Sequence, residues 1–227
     1  MTYPALRWFM RVITRTYLIG LFRVVGAENV PRKGPLIICP SHSATLDPPM
    51  VPAFTPRSDT WSMAKSEYFR GGIIEFFFHQ YHSFPVVRHS ADRIAVRRSF
   101  ELLKAGSALI MYPEGTRVDS GVLATPEPGA GFIAQKAACP VLPVGLTGTR
   151  ECLPKGAHWP HRTPVTITFG KPFLVASKRP DGARISYQEA ADAIMLEIAE
   201  LLPTHQRGAF SDLPSLRQRL AGVTQPV

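Results

Sequence analysis

The sequence predicts an α/β fold: a single domain with a central, mostly parallel sheet flanked by helices, preceded by an N-terminal amphipathic helix. Three observations carry this expectation. Short apolar runs such as Leu36 to Cys39 and "SALIMY" (107–112) alternate with segments of helical period. The two stretches richest in reactive side chains, "PSHSATLDP" (40–48) and "YPEGTR" (112–117), each follow such a run directly, where open α/β sheets carry their sites. The chain has 227 residues, 45% of them hydrophobic, which is enough for a substantial core. No internal repeat or linker interrupts it.

The first segment, residues 3–24, reads as a helix starting at Pro4. Arg7, Arg11 and Arg15 recur every four residues as one basic stripe, and Leu6, Trp8, Phe9, Val12, Ile13, Tyr17 and Ile19 cover most of the rest. Such a helix suits the bilayer interface or, alternatively, packing as a terminal helix on the domain. A strand is predicted over Leu36 to Cys39, and Asp47-Pro48 then looks like a helix start with Asp47 as its cap. "TWSMAK" (60–65) reads as a second strand, followed by the aromatic segment "GGIIEFFFHQYHSF" and a short strand in "FPVVRHS". Residues 91–104 place Ala91, Ile94, Ala95, Leu102 and Leu103 on a helical stripe that ends at Gly106. "SALIMY" is a buried strand, "GAGFIAQKAA" a small-residue helix, and "CPVLPVGLTG" and "PVTITFGKP" further strands. "SYQEAADAIMLEIAELL" closes the domain as a long amphipathic helix. The tail beyond Pro203 is expected to be loosely held.

Charge and cysteine usage narrow the function classes. The net charge of +9 predicts attraction to an anion, be it nucleic acid, anionic lipid or a phosphorylated metabolite. Three scattered cysteines without a CxxC pair favour a reducing compartment over a disulfide scaffold. The pairs His79/His82 and His158/His161 lack the acidic or cysteine partners of a zinc site, so no metal is expected. No run of 18 apolar residues is present, which argues against a spanning helix.

His42 and Asp47 lie five positions apart. On a helix that offset leaves the side chains roughly 140° apart, and in a strand odd offsets point to opposite faces. Only a turn that folds back can bring them together. If they meet, the carboxylate holds one imidazole nitrogen protonated and leaves the other as a base. The second loop offers Glu114, the backbone amides of Gly115 and Thr116, and the guanidinium of Arg117, a set suited to a phosphate. Arg88 would add a second cation at the same rim. Ser41 cannot form a dyad with its neighbour His42, "GAGFIA" lacks the third glycine of a dinucleotide site, and no G-x-S-x-G hydrolase motif occurs.

Taken together, "HSATLD", "FPVVR", "YPEGTR" and "CPVLPVGLTGT" resemble, in order and spacing, the four blocks of the glycerolipid acyltransferases typified by 1-acylglycerol-3-phosphate acyltransferase. The likeness runs from about Gly26 to Gly208. The resemblance implies that His42, oriented by Asp47, deprotonates a lysophospholipid hydroxyl that attacks an acyl thioester, either acyl-CoA or acyl carrier protein. It assigns Glu114, Gly115, Thr116, Arg117, Arg88 and Lys65 to the acceptor phosphate and Pro143 to the acyl pocket, with no cofactor. It divides the chain into a membrane-contact helix (1–25), an acyltransferase domain (26–210) and a tail (211–227). It also implies an anionic membrane surface rather than nucleic acid as partner, and a peripheral, monotopic location on the cytoplasmic face. One departure stands out: Glu127-Pro128 occupies a place where the family usually has a basic residue, which bears on the acceptor headgroup.

Overall fold

The computed structural model describes residues 2–87 and 92–227. Its elements in chain order are α1 (Tyr3–Tyr17), β1 (Phe22–Val25), β2 (Leu36–Pro40), α2 (Asp47–Phe54), β3 (Thr60–Lys65), α3 (Gly72–Gln80), β4 (Ser83–Val86), α4 (Arg93–Lys104) and β5 (Ala108–Ile110). There follow α5 (Pro128–Ala137), β6 (Val141–Thr147), α6 (Thr149–Cys152), β7 (Val165–Phe169), β8 (Phe173–Val175), α7 (Tyr187–Glu200), α8 (Leu213–Arg219) and β9 (Thr224–Pro226). The main sheet runs β1-β7-β6-β2-β5-β3-β4, and β8 and β9 extend it beside the start of β6. The pairs β1/β7, β6/β2, β2/β5, β5/β3 and β3/β4 are parallel, whereas β6/β7, β6/β8 and β8/β9 are antiparallel. The predicted architecture, a mostly parallel sheet flanked by helices with a helix before it, is the one observed.

The strand period of two sorts the core into layers. Ile37, Cys39, Leu109 and Val141 join a cluster with Ala95, Ile133, Ile194 and Ile198 on the α4/α5/α7 side. Leu36, Ile38, Ile110 and Leu142 join Met50, Val51 and Phe54 on the other. With both faces covered, the central strands have to be apolar throughout, and β2 is buried along its whole length. The α5/α7 contact explains the second glycine of "GAGFIA": a Cβ on Gly131 would sit 2.0 Å from the carbonyl oxygen of Tyr187. At α7, Ser186 and Glu189 form a capping box, each side chain accepting from the other's backbone N–H.

The N-terminal helix is shorter than the sequence suggests, and it packs on the domain along part of its basic stripe. It ends at Tyr17, and residues 22–24, read as its last turn, belong instead to β1 alongside β7. Arg7 and Arg11 of its arginine stripe turn inward, and Arg15 stays exposed at the edge. Arg7 donates to the Pro52 and Thr55 carbonyls, Arg11 to those of Ala53 and Thr55, and the Arg15 guanidinium lies 5.8 Å from the Phe54 ring centre. The last carbonyls of a helix lack intrahelical donors and carry the negative end of its dipole, so the α2 terminus draws the Arg7 and Arg11 guanidiniums in. Trp8, Phe9, Val12 and Ile13 are left on the outside, Trp8 with 65% of its surface exposed.

The tail also departs from expectation. Beyond Pro203 the chain forms α8 and β9, buries Leu216, Leu220 and Val223, and ties Arg217 to Glu197 and Glu200 of α7. Apolar residues spaced along a charged segment hold it to the α7 side of the core. The three cysteines are buried and unpaired.

Candidate active site

The loop after β2 turns back on itself, and Asp47 is the point it closes on. One carboxylate oxygen, Oδ2, accepts from the backbone N–H groups of Ser43 (2.8 Å) and Ala44 (2.7 Å) and from His42 Nδ1–H (3.0 Å). Asp47 is therefore the first helical residue of α2 but not its cap, because its carboxylate reaches back into the loop instead of forward along the helix. His42 is 8% exposed and Asp47 fully buried. With Nδ1 held as the donor, His42 presents Nε2 as the basic nitrogen. The other Asp47 oxygen, Oδ1, is buried and has no hydrogen-bond partner among the described residues. Ser41 is structural: its Oγ accepts from Leu146 N–H across to β6.

The loop after β5 supplies a different kind of residue. Glu114 is buried, and its two oxygens accept from the backbone N–H of His42 (3.0 Å) and of Ala124 (3.0 Å). It clamps the His42 loop to the chain 10 residues downstream rather than facing a phosphate. Burial raises its pKa from 4.5 to about 7, the two backbone N–H bonds pull the other way, and the Asp47 charge adds to the rise. A second bond between the loops runs from Val118 N–H to the His42 carbonyl oxygen.

Gly115 turns the chain with a φ of +67°, and a Cβ there would meet Glu127 Cγ at 2.8 Å. The residue that departs from the family pattern thus lies against the turn. Thr116 is exposed at the tip. Arg117 donates to Thr45 Oγ1 in the first loop and to Asp119, which also pairs with Lys155. Lys65, at the end of β3, is ion-paired to Glu67 at 2.7 Å. Arg88 lies outside the described residues.

Beside the dyad is a cavity of about 490 Å³ lined by Met63, Val86, Val96, Met111 and Ile133 on its apolar side and by Lys65, Asp92, Gly115 and Glu127 on its polar side. Tyr112 is part of that lining and also packs its ring on His42, centroid to centroid 4.2 Å, so it joins the cavity to the base. Sequence reasoning passed over Tyr112, although it opens the quoted "YPEGTR". An aromatic one residue beyond a buried strand, entering a rim loop, was the available signal. Its hydroxyl is buried without a hydrogen-bond partner among the described residues, and burial raises its pKa. Pro143 is not in that lining. It is buried within β6 opposite Cys39, and its ring fills the space over Gly170. Of the predicted residues, then, the fold gathers Lys65 and Gly115 at one cavity, links Arg117 to the His42 loop, and puts Glu114 underneath.

A buried His–Asp pair with one ring nitrogen left over, joined through Tyr112 to a largely apolar cavity at a sheet rim, is an arrangement that can serve as a general base. Residues 21–147 match the family model described as Acyltransferase, and the chain belongs to that family. It is similar to the 1-acyl-sn-glycerol-3-phosphate acyltransferase of Bacillus subtilis, 30% identical over 142 residues that cover 61% of this chain and 70% of that one. The enzyme of the same name from Pseudomonas aeruginosa is 24% identical over 212 residues, covering 88% and 76% of the two chains. The crystal structure of the 1-acyl-sn-glycerophosphate (LPA) acyltransferase of Thermotoga maritima shares the fold, with a TM-score of 0.67 and 24% identity over 87% of this chain and 78% of that one.

Proposed function

We propose that this acyltransferase moves a fatty acyl group from a thioester, acyl-CoA or acyl carrier protein, to the free hydroxyl of a lysophospholipid. The acceptor read from its relatives' names is 1-acyl-glycerol-3-phosphate, and the product is phosphatidic acid. The observation that carries the reading is the bond from His42 Nδ1 to the buried Asp47 carboxylate. His42 Nε2 takes the acceptor's hydroxyl proton while its oxygen attacks the thioester carbonyl. As the tetrahedral intermediate collapses the C–S bond breaks, and the imidazolium returns the proton to the leaving thiolate. Asp47 stabilises the imidazolium, and help of this kind contributes about 10²–10⁴-fold. In this reading the apolar side of the 490 Å³ cavity receives an acyl chain, and Lys65 and Arg117 attract the acceptor phosphate.

Acceptor and product are lipids, so the reading includes a peripheral position on the cytoplasmic face of an anionic membrane. What supports it is the outer side of α1 together with α3, where Ile73, Ile74, Phe76 and Phe77 are exposed. No described helix is long and apolar enough to cross a membrane. Glu127 in the cavity favours one alternative, a lysolipid whose headgroup differs from a bare phosphate monoester. The test is purified protein with a panel of lysolipids and both classes of thioester. We expect acylation of 1-acyl-glycerol-3-phosphate that His42→Ala lowers by at least 10²-fold without loss of thermal stability. Transfer by His42→Ala within tenfold of wild type would refute the assignment.

A further inference from the structure

At the end of the sheet away from His42 there is a second concavity, of about 540 Å³, that the acyltransferase reading leaves unused. It is lined by Arg7, Arg11, Arg32, Arg57, Asp59, Pro56 and Ser58. Gly34, whose carbonyl accepts from Arg57, precedes β2, and His42 follows it, so the two sites lie about 20–25 Å apart along the strand direction.

The hydrogen-bond inventory separates one of these arginines from the rest. A guanidinium has five N–H donors. Arg57 uses all of its donors, on the Asp59 carboxylate and on the carbonyls of Pro31, Gly34 and Gly106. It is structural, tying together the segments that lead into β2, β3 and β5. Arg7 and Arg11 each donate two bonds, all to carbonyls at the end of α2, and Arg32 donates one, to the Pro56 carbonyl. No carboxylate pairs with any of these three among the described residues, and Arg57 already engages Asp59, the one acid in the lining. The α2 dipole offsets about half a charge, which leaves about two and a half positive charges facing one concavity. Arg7 is buried, and both its burial and the neighbouring Arg11 charge press its pKa down. Like charges gathered in a polar recess with unused, planar donors match an anion that accepts several bonds at once.

We infer that this concavity binds a phosphate group, held by Arg7, Arg11 and Arg32, at a site separate from the catalytic rim. The phosphate comes either from an anionic lipid headgroup, since Arg7 and Arg11 belong to the helix whose outer side is apolar, or from a soluble phosphate compound.

The probe is inorganic phosphate, with uptake by the full-length protein followed by equilibrium dialysis against chloride of matched ionic strength. Arg117→Ala removes one cation of the catalytic rim, where Lys65 remains, and should leave phosphate uptake at the second concavity in place. Arg32→Glu removes an exposed side chain with a single backbone bond, so it should fold normally, and should weaken that site by at least about tenfold. Arg11→Gln should weaken it too, with a fall in Tm because it also releases the α2 carbonyls. The source is separated with phosphatidylcholine vesicles containing phosphatidic acid. If Arg32→Glu lowers vesicle affinity and inorganic phosphate competes, the occupant is a lipid headgroup. If Arg32→Glu weakens phosphate uptake and leaves vesicle affinity unchanged, it is a soluble phosphate. Uptake equal in wild type and Arg32→Glu, or abolished by Arg117→Ala alone, would overturn the proposal.

Discussion

The loops after β2 and β5 stand at neighbouring strand ends, carry one buried carboxylate each, and use them in opposite ways. Asp47 gathers two backbone N–H groups and the ring of His42 onto a single oxygen, so its charge acts on the base itself. Glu114 spreads two bonds over two oxygens and touches only backbone, one bond to His42 and one to Ala124. In the proposed mechanism the first carboxylate therefore tunes a proton, whereas the second holds a loop in place. A carboxylate in a motif says that something accepts hydrogen bonds there, and its partners decide whether chemistry or position depends on it.

The sharpest way to break this comparison is Asp47→Asn. The amide keeps the shape but presents no charge to an imidazolium, so kcat should fall by about 10²–10⁴-fold with acceptor KM little changed. A loss under tenfold would mean that Asp47, like Glu114, only holds the loop.

Arg117 sharpens the comparison from the other end of the second loop. It is part-exposed and bound to Thr45 of the first loop, and in the proposed reading it attracts the acceptor phosphate without entering the proton chemistry. Arg117→Lys retains the charge but loses the planar fork, and acceptor KM should rise by roughly 10–100-fold while donor KM moves far less. A rise in donor KM instead would reassign this cation to the phosphates of coenzyme A.

Glu114→Gln tests the clamp, with a smaller effect on rate. One of the two N–H groups loses its acceptor, so kcat should drop several-fold. The pH dependence carries the distinctive signature. The folded-state pKa of about 7 lies above the unfolded value of 4.5, so the native state binds more protons than the unfolded state between those limits. The contribution of Glu114 to stability is therefore full below about pH 4.5 and is lost as pH rises through about 7. The Tm of Glu114→Gln relative to wild type should climb across that window, as measured by thermal melts at several pH values. A Tm difference that does not vary with pH, together with a kcat loss as large as that of Asp47→Asn, would place Glu114 among the reacting groups.

The smallest effect on chemistry should come from the outside of α1. Trp8→Ser with Phe9→Ser removes exposed apolar surface on α1, so kcat on a short-chain, water-soluble acceptor should be unchanged while partition onto anionic vesicles falls several-fold. Unchanged partition would move membrane contact to α3 or elsewhere.

Much of this was legible from residue order. Alternating apolar runs and helical periods specify a layered α/β domain, because central strands covered on both faces must be apolar throughout and amphipathic helices must cover them. The five-residue offset of His42 and Asp47 excludes helix and strand, and only a reversing turn remains. Ser186 and Glu189 mark the start of α7 because each side chain can satisfy the other's orphan N–H.

Tertiary structure decided what periodicity leaves open. A stripe of arginines on α1 states that the helix has two faces but not which one turns inward. The unpaired carbonyls at the end of α2, which no local pattern reveals, settled that Arg7 and Arg11 do. The tail was bound by the same kind of distant partner, with Leu216, Leu220 and Val223 against the core and Arg217 against α7. Glu114 was placed beneath the site instead of in it, because the N–H groups that needed an acceptor lay 72 residues upstream and 10 downstream. Sequence determines which groups want partners over short range. Which partner each one meets is a property of the assembled sheet.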